Sequence, residues 1–156
     1  MRKVQAATAL SAVAIVALCA ASGAAAQGPE KVHGKVAVFA TPTNEVVPPA
    51  TKAKTTTVTV TGKVKAKSSC LTGRKIQFTE VTPSGSYPQT VTAVSSRNGS
   101  FTATMPFNST GLTSKANGTA VTISATATQA TRRDKDSGEK VKCLEASGIN
   151  DFAATV

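Results

Sequence analysis

The residues of this chain that could do chemistry are few. Cys70 and Cys143 are two thiols. His33 is the only histidine. Asp134, Asp136 and Glu139 crowd one short stretch among Arg132, Arg133, Lys135 and Lys140. Hydrolysis by a protein nucleophile needs a base beside it, and His33 sits alone near prolines, far from any serine constellation. The three acids have the faint spacing of a calcium loop, but they fall short of its ligand count, and the basic neighbours oppose a dication. Two cysteines and a distant histidine do not make a zinc site. No nucleophile elbow, phosphate loop or metal motif occurs. The sequence therefore points to a protein without a catalytic centre and without a cofactor.

The thiols are better read as partners. Met1-Arg2-Lys3, an apolar run from about Ala6 to Ala21, and Ala24 and Ala26 before Gln27 have the order of a secretory signal, residues 1–26. The run is short for a membrane span of about 20 residues. Its cysteine, Cys19, leaves with the signal, and the bulky Leu18 before it does not suit lipoprotein processing. The mature chain, Gln27 to Val156, then enters an oxidising compartment carrying one pair, Cys70 and Cys143, and a disulfide between them is expected. A loop of 74 residues closed in this way is worth about 4 kcal/mol in the chain-entropy account.

Charge narrows the partners. The whole chain has 18 Lys+Arg against 8 Asp+Glu, and loss of Arg2 and Lys3 leaves 16 against 8. The excess gathers in two places. Lys63, Lys65 and Lys67 alternate along one strand, and Arg132, Arg133, Lys135, Lys140 and Lys142 surround a hairpin near the C-terminus. The plainer expectation is that lysines on an outer strand prevent edge-to-edge pairing. If the two faces coincide, they form an anion-binding stripe for wall polymers or acidic lipids. Nucleic acid is disfavoured, because stacking aromatics are missing. With no Trp and a single Tyr87 beside Pro88, ring-stacking carbohydrate recognition is disfavoured as well.

The elements that would position these groups alternate with period 2. Val58, Val60 and Val64 share one face of Thr57–Lys65. Ile76 and Phe78 share a face of 75–79, and Phe101, Ala103 and Met105 one of 100–105. Val121, Ile123, Ala125 and Ala127 share a face of 120–127. Thr90–Val94 is a weaker strand, and Lys140–Ala146 is the last clear one. Arg97-Asn98-Gly99 is a tight-turn signal. Arg132–Gly138 reads as a charged turn, and 107–118 as a polar loop. Pro42, Pro48 and Pro49 mark 27–54 as a Pro- and Lys-containing tether in which Lys35–Ala40 could form one short strand. The expectation is an all-β antiparallel sandwich, Ig-like or prealbumin-like, of about six to seven strands over 55–156.

Thr59-Val60-Thr61-Gly62-Lys63-Val64, the strand with Ile76 and Phe78, and Ser96-Arg97-Asn98-Gly99-Ser100-Phe101 resemble the carboxypeptidase regulatory-like (transthyretin-like) sandwich domains. Cys70-Leu71-Thr72-Gly73-Arg74 with a late Cys143 is similar to a pattern in small secreted actinobacterial proteins of that kind. The resemblance covers about residues 57–148, and Val121-Thr122-Ile123 stands where such domains usually carry a tyrosine. It implies a non-catalytic extracellular module and brings no functional residues with it. The expected role is a secreted binding or structural module of the cell envelope or extracellular space. The alternative is an inhibitor-like or effector protein acting on another extracellular protein. Asn98, Asn108 and Asn117 head N-x-S/T triplets, acceptors only in a glycosylating pathway.

Overall fold

A backbone that sends successive side chains to opposite faces sorts this alternating sequence into a greasy face and a hydroxyl face. The computed structural model describes residues 28–46, 53–108, 112 and 119–154. The signal segment 1–26, the Val47-Pro48-Pro49-Ala50 stretch and most of the 107–118 loop lie outside the described residues. Ten strands are described: β1 (Glu30–Val32), β2 (Lys35–Val46), β3 (Ala53–Lys65), β4 (Lys75–Thr82), β5 (Gly85–Val94), β6 (Ser100–Pro106), β7 (Thr119–Ala127), β8 (Ala130–Arg133), β9 (Lys140–Cys143) and β10 (Ala146–Ala154). One 3₁₀ turn, Ser68–Cys70, follows β3. No described helix is long and apolar enough to cross a membrane.

The two main sheets are antiparallel. One has the order β2-β3-β6 and the other β10-β7-β4-β5. Their inner faces meet in one core containing Val58, Val60, Val64, Ile76, Phe78, Phe101, Ala103, Met105, Ile123, Ala125 and Ala127, every one of them buried. These are inward positions expected from the alternation. Phe78 and Phe101 supply the bulk, their rings tilted against each other with centroids 6.0 Å apart. Each large side chain removed from water in this way contributes about 1.5–3 kcal/mol. A third, small sheet has the order β1-β9-β8, with β1 parallel to β9. It closes over a separate cluster of Val32, Cys70, Val141 and Cys143.

The structure corrects the sequence reading in four places. The segment expected as a tether is largely sheet: β2 pairs with β3 along twelve positions, and β1 joins the small sheet. Pro42 misled because proline withholds a ladder donor, yet β2 is an edge strand, where that omission is tolerated. Pro88 in β5 and Pro106 in β6 are also on edge strands. Second, β3 is the central strand of its sheet, so Lys63 and Lys65 protect no edge. They stand on its outer face, with Lys65 directly opposite Lys35. Third, Arg132 and Arg133 belong to strand β8, and only 134–138 turns.

Fourth, β10 continues where the last strand was expected to finish. Its inward positions carry Gly148 and Asn150, which give no apolar alternation. Both seal the seam between the sheets. Gly148 lies so close to the Val36 carbonyl that a Cβ there would collide with it. The Asn150 carboxamide oxygen accepts from the Ala40 N–H at 3.0 Å. The tight turn at Asn98-Gly99 forms as expected. Gly99 takes φ +84, and Asn98 Oδ1 accepts from the Ser100 N–H.

Glu80 on β4 is an ionisable group fully buried on the inner face of its sheet. Its Oε2 accepts from the Gln89 side chain at 3.0 Å and the Asn108 N–H at 3.1 Å, while Oε1 has no partner among the described residues. Burial pushes this carboxyl above its ordinary value, and the Asn108 N–H opposes the shift only in part. A carboxyl that holds its proton more tightly when folded gives stability that grows as pH falls through its folded pKa. Glu80→Gln is therefore expected to raise the urea midpoint at pH 7. It should also flatten the gain that the wild type shows on acidification toward about pH 4.5, the unfolded range.

Candidate anion-binding cleft

Local order around the cysteines begins with the 3₁₀ turn. It carries Cys70 inward to Cys143 at the end of β9, and the two are disulfide-bonded with Cα atoms 5.6 Å apart. Four residues later Arg74 is buried, 1% exposed, with no carboxylate partner among the described residues. Its guanidinium instead caps backbone carbonyls. Nε donates to Thr128 at 2.8 Å, and a terminal nitrogen donates to Ala127 at 3.0 Å and Leu144 at 2.8 Å. The other terminal nitrogen reaches the Cys70 carbonyl at 3.5 Å. One side chain thus ties the disulfide loop to the end of β7 and to the β9–β10 link. Desolvation, and secondarily the charge of Arg132, pulls Arg74 below its usual pKa.

Ser95 completes the frame from the end of β5. Its hydroxyl accepts from the Arg74 N–H and donates to the Leu71 carbonyl, and backbone bonds join it to Gly73 and Arg74. From β8, Arg132 donates to the Gly73 carbonyl. The β8–β9 turn is organised by Asp134, whose Oδ1 accepts from the N–H groups of Asp136 and Ser137. Its Oδ2 meets the Lys67 ammonium at 3.1 Å, and that ammonium also holds Glu30 at 3.0 Å. Asp134 is itself buried. The Ser137 N–H, then Lys67, then the Asp136 N–H bring it down from 3.8 to about 2.

A depressed carboxylate gives stability that is present above its unfolded pKa and lost as pH falls toward the folded one. The β8–β9 turn should therefore loosen between about pH 4 and pH 2, seen as faster amide exchange at 136–138. Asp134→Asn should lose that pH dependence and show the loosened turn throughout.

These contacts leave an open cleft of about 350 Å³. Ser68, Ser69, Thr72 and Gly73 form one wall. Arg97, from the β5–β6 turn, and Arg132, Arg133 and Lys135 form the rest. No described carboxylate lines it. Ser69 Oγ and Arg132 Nε are buried beside it, closed off from its open space, and have no hydrogen-bond partner among the described residues. Three guanidinium groups and an ammonium make a site for an oxyanion, since guanidinium matches such groups with paired donors.

The sequence-derived anion set divides on this structure. Arg132 and Arg133 line the cleft. Lys140 and Lys142 adjoin it on the outer face of the small sheet, where Arg133 faces Lys140 and Lys142 faces both Thr131 and Lys31. Lys140 also borders a larger groove of about 500 Å³ that Glu30 and Glu139 make mixed in charge. Lys67 is taken up by two carboxylates. Lys63 and Lys65 do not line the cleft. Arg97, Ser69 and Thr72 were not expected, because they meet the others only through the folded loop. The one sequence signal for that loop is the Cys70…Arg74 spacing. His33 is exposed between β1 and β2. Among the described residues no cluster of three or more His, Cys, Asp or Glu is placed to hold a metal.

Fold and cleft together define an all-β sandwich with a disulfide-framed basic surface site. No family model, curated protein or solved structure matches this chain.

Proposed function

We propose that the chain is a secreted, non-catalytic binding module of the cell envelope or extracellular space, and that it grips anionic polymers through the basic cleft. The observation that carries this reading is the convergence of Arg97, Arg132, Arg133 and Lys135 on a cleft that no described carboxylate lines. The secretory pattern of residues 1–26 and a disulfide that would be reduced in the cytosol support the compartment. Without a base placed beside a nucleophile, the cleft offers positive charge and donors, which serve holding rather than turnover. The neighbouring Lys140, Lys142 and Lys31 extend the positive field along the small sheet, giving a polymer further phosphates or sulfates to meet.

The test is retention of the purified, oxidised protein on a polyphosphate matrix across a salt gradient. Binding should weaken steeply between roughly 50 and 200 mM salt, as counterion release requires. The double charge reversal Arg97→Glu, Lys135→Glu should abolish retention with the thermal midpoint unchanged. Lys63→Glu, Lys65→Glu should retain most of it. The opposite pattern would place binding on the outer face of the β2-β3-β6 sheet and remove the cleft from the account.

A further inference from the structure

Resting on the cleft reading above, we infer that the group the cleft takes is a terminal phosphomonoester, as opposed to a diester within a chain or a carboxylate. The size of the site favours an end group. About 350 Å³ lies at the low end of the ~300–1,000 Å³ typical of small-ligand sites. That is room for a phosphoryl group and the unit bearing it.

Charge is the second argument. Three arginines and a lysine line the cleft, and Arg74, buried and bonded to backbone carbonyls, adds a further charge that Arg132 feels. The nearest acids are already committed or exposed: Asp134 is held by its own turn and by Lys67, and Asp136 is on the outside of that turn. A monoester carries about −1.5 to −2 at pH 7 with three acceptor oxygens. A diester carries a single charge over two free oxygens, and a carboxylate a single charge in a plane. Of the three, the monoester offsets most of the mutual repulsion of these cations.

The fixed position of one arginine is the third argument. Arg132 is fixed by its bond to the Gly73 carbonyl, so it is held in place before a ligand arrives. A phosphoryl group with three free oxygens offers more acceptor sites to Arg97, Arg132, Arg133 and Lys135 together than the two free oxygens of an in-chain diester.

The experiment is calorimetric titration of the oxidised protein at low salt with glycerol 3-phosphate, bis-glycerol phosphate and acetate. The expected result is binding of the monoester at least about tenfold tighter than the diester, with acetate weaker still. Affinity should fall as pH drops below about 6, where the monoester loses its second charge. Arg97→Ala should weaken the monoester about tenfold and leave the thermal midpoint in place. Vesicles containing phosphatidic acid, compared with phosphatidylglycerol, separate the sources. Competition by phosphatidic acid alone would identify a lipid headgroup, and no competition from either a soluble or polymer-borne phosphate, both consistent with the inference. Equal affinity for monoester and diester, with retention on polyphosphate intact, overturns this inference and leaves the polymer reading standing. No binding of any small anion together with loss of polyphosphate retention overturns both.

Discussion

Replacing Arg74 with methionine is expected to lower stability by about 3–5 kcal/mol, close to the practical limit for a single side chain. Two effects oppose each other. Removing a buried charge that has no counter-ion is favourable. Against that, the carbonyls of Thr128, Ala127 and Leu144, now bonded at 2.8–3.0 Å, lose their donor inside the protein. Each orphaned carbonyl costs about 1–3 kcal/mol, so three of them outweigh the gain. Lysine should not rescue the loss. Its point-like ammonium cannot reproduce a planar fork that reaches the C-terminal end of β7 and the β9–β10 link at once. Urea unfolding of Arg74→Met and Arg74→Lys decides this, and a loss below about 1 kcal/mol for either would mean that water takes over the carbonyls.

Removing the disulfide by Cys70→Ser, Cys143→Ser is expected to cost about 4 kcal/mol, from the 74-residue loop that the bond closes. For a domain of this length that is a fall of roughly 12–20 °C in thermal midpoint. The loss should be local first. Cys70 and Cys143 form half of the small cluster with Val32 and Val141, so β1, β8 and β9 should exchange their amides before the main sandwich does. Arg74 braces the same loop, so the two losses should fall short of additivity when combined. Thermal scans with and without reductant, and amide exchange on the oxidised and reduced protein, measure both parts.

Much of the sandwich was legible in the sequence. Where apolar residues alternate with threonine and lysine, as in β3, β4, β6 and β7, period 2 alone identifies strands and their buried faces, because half-buried sheet has no other pattern to offer. The cysteine pair was legible for a different reason: once residues 1–26 are read as a secretory signal, the two remaining thiols have only each other.

The rest was hidden where contacts replace patterns. β2 was obscured by Pro42, a breaker anywhere except an edge. β10 was obscured by Gly148 and Asn150, which exist to let two backbones approach and to bond across the seam, and so bury no apolar surface. The basic cleft was half legible. Arg132 and Arg133 stand out as adjacent charges, but Arg97, Ser69 and Thr72 come from turns 25 or more residues away in sequence. The disulfide, Arg74, Ser95 and the bond from Arg132 to the Gly73 carbonyl bring those turns together, and no local pattern records that.

The central claim is that this chain binds anions at one place. A two-dimensional amide spectrum of the oxidised protein, followed as polyphosphate is added at low salt, tests it most directly. The account predicts that shifts cluster at residues 68–73, 97 and 132–135, weaken outward along Lys140 and Lys142, and vanish as salt is raised. Shifts centred on Lys35, Lys63 and Lys65, or scattered over every exposed lysine, would contradict it. The cleft would then be only the framework around a disulfide.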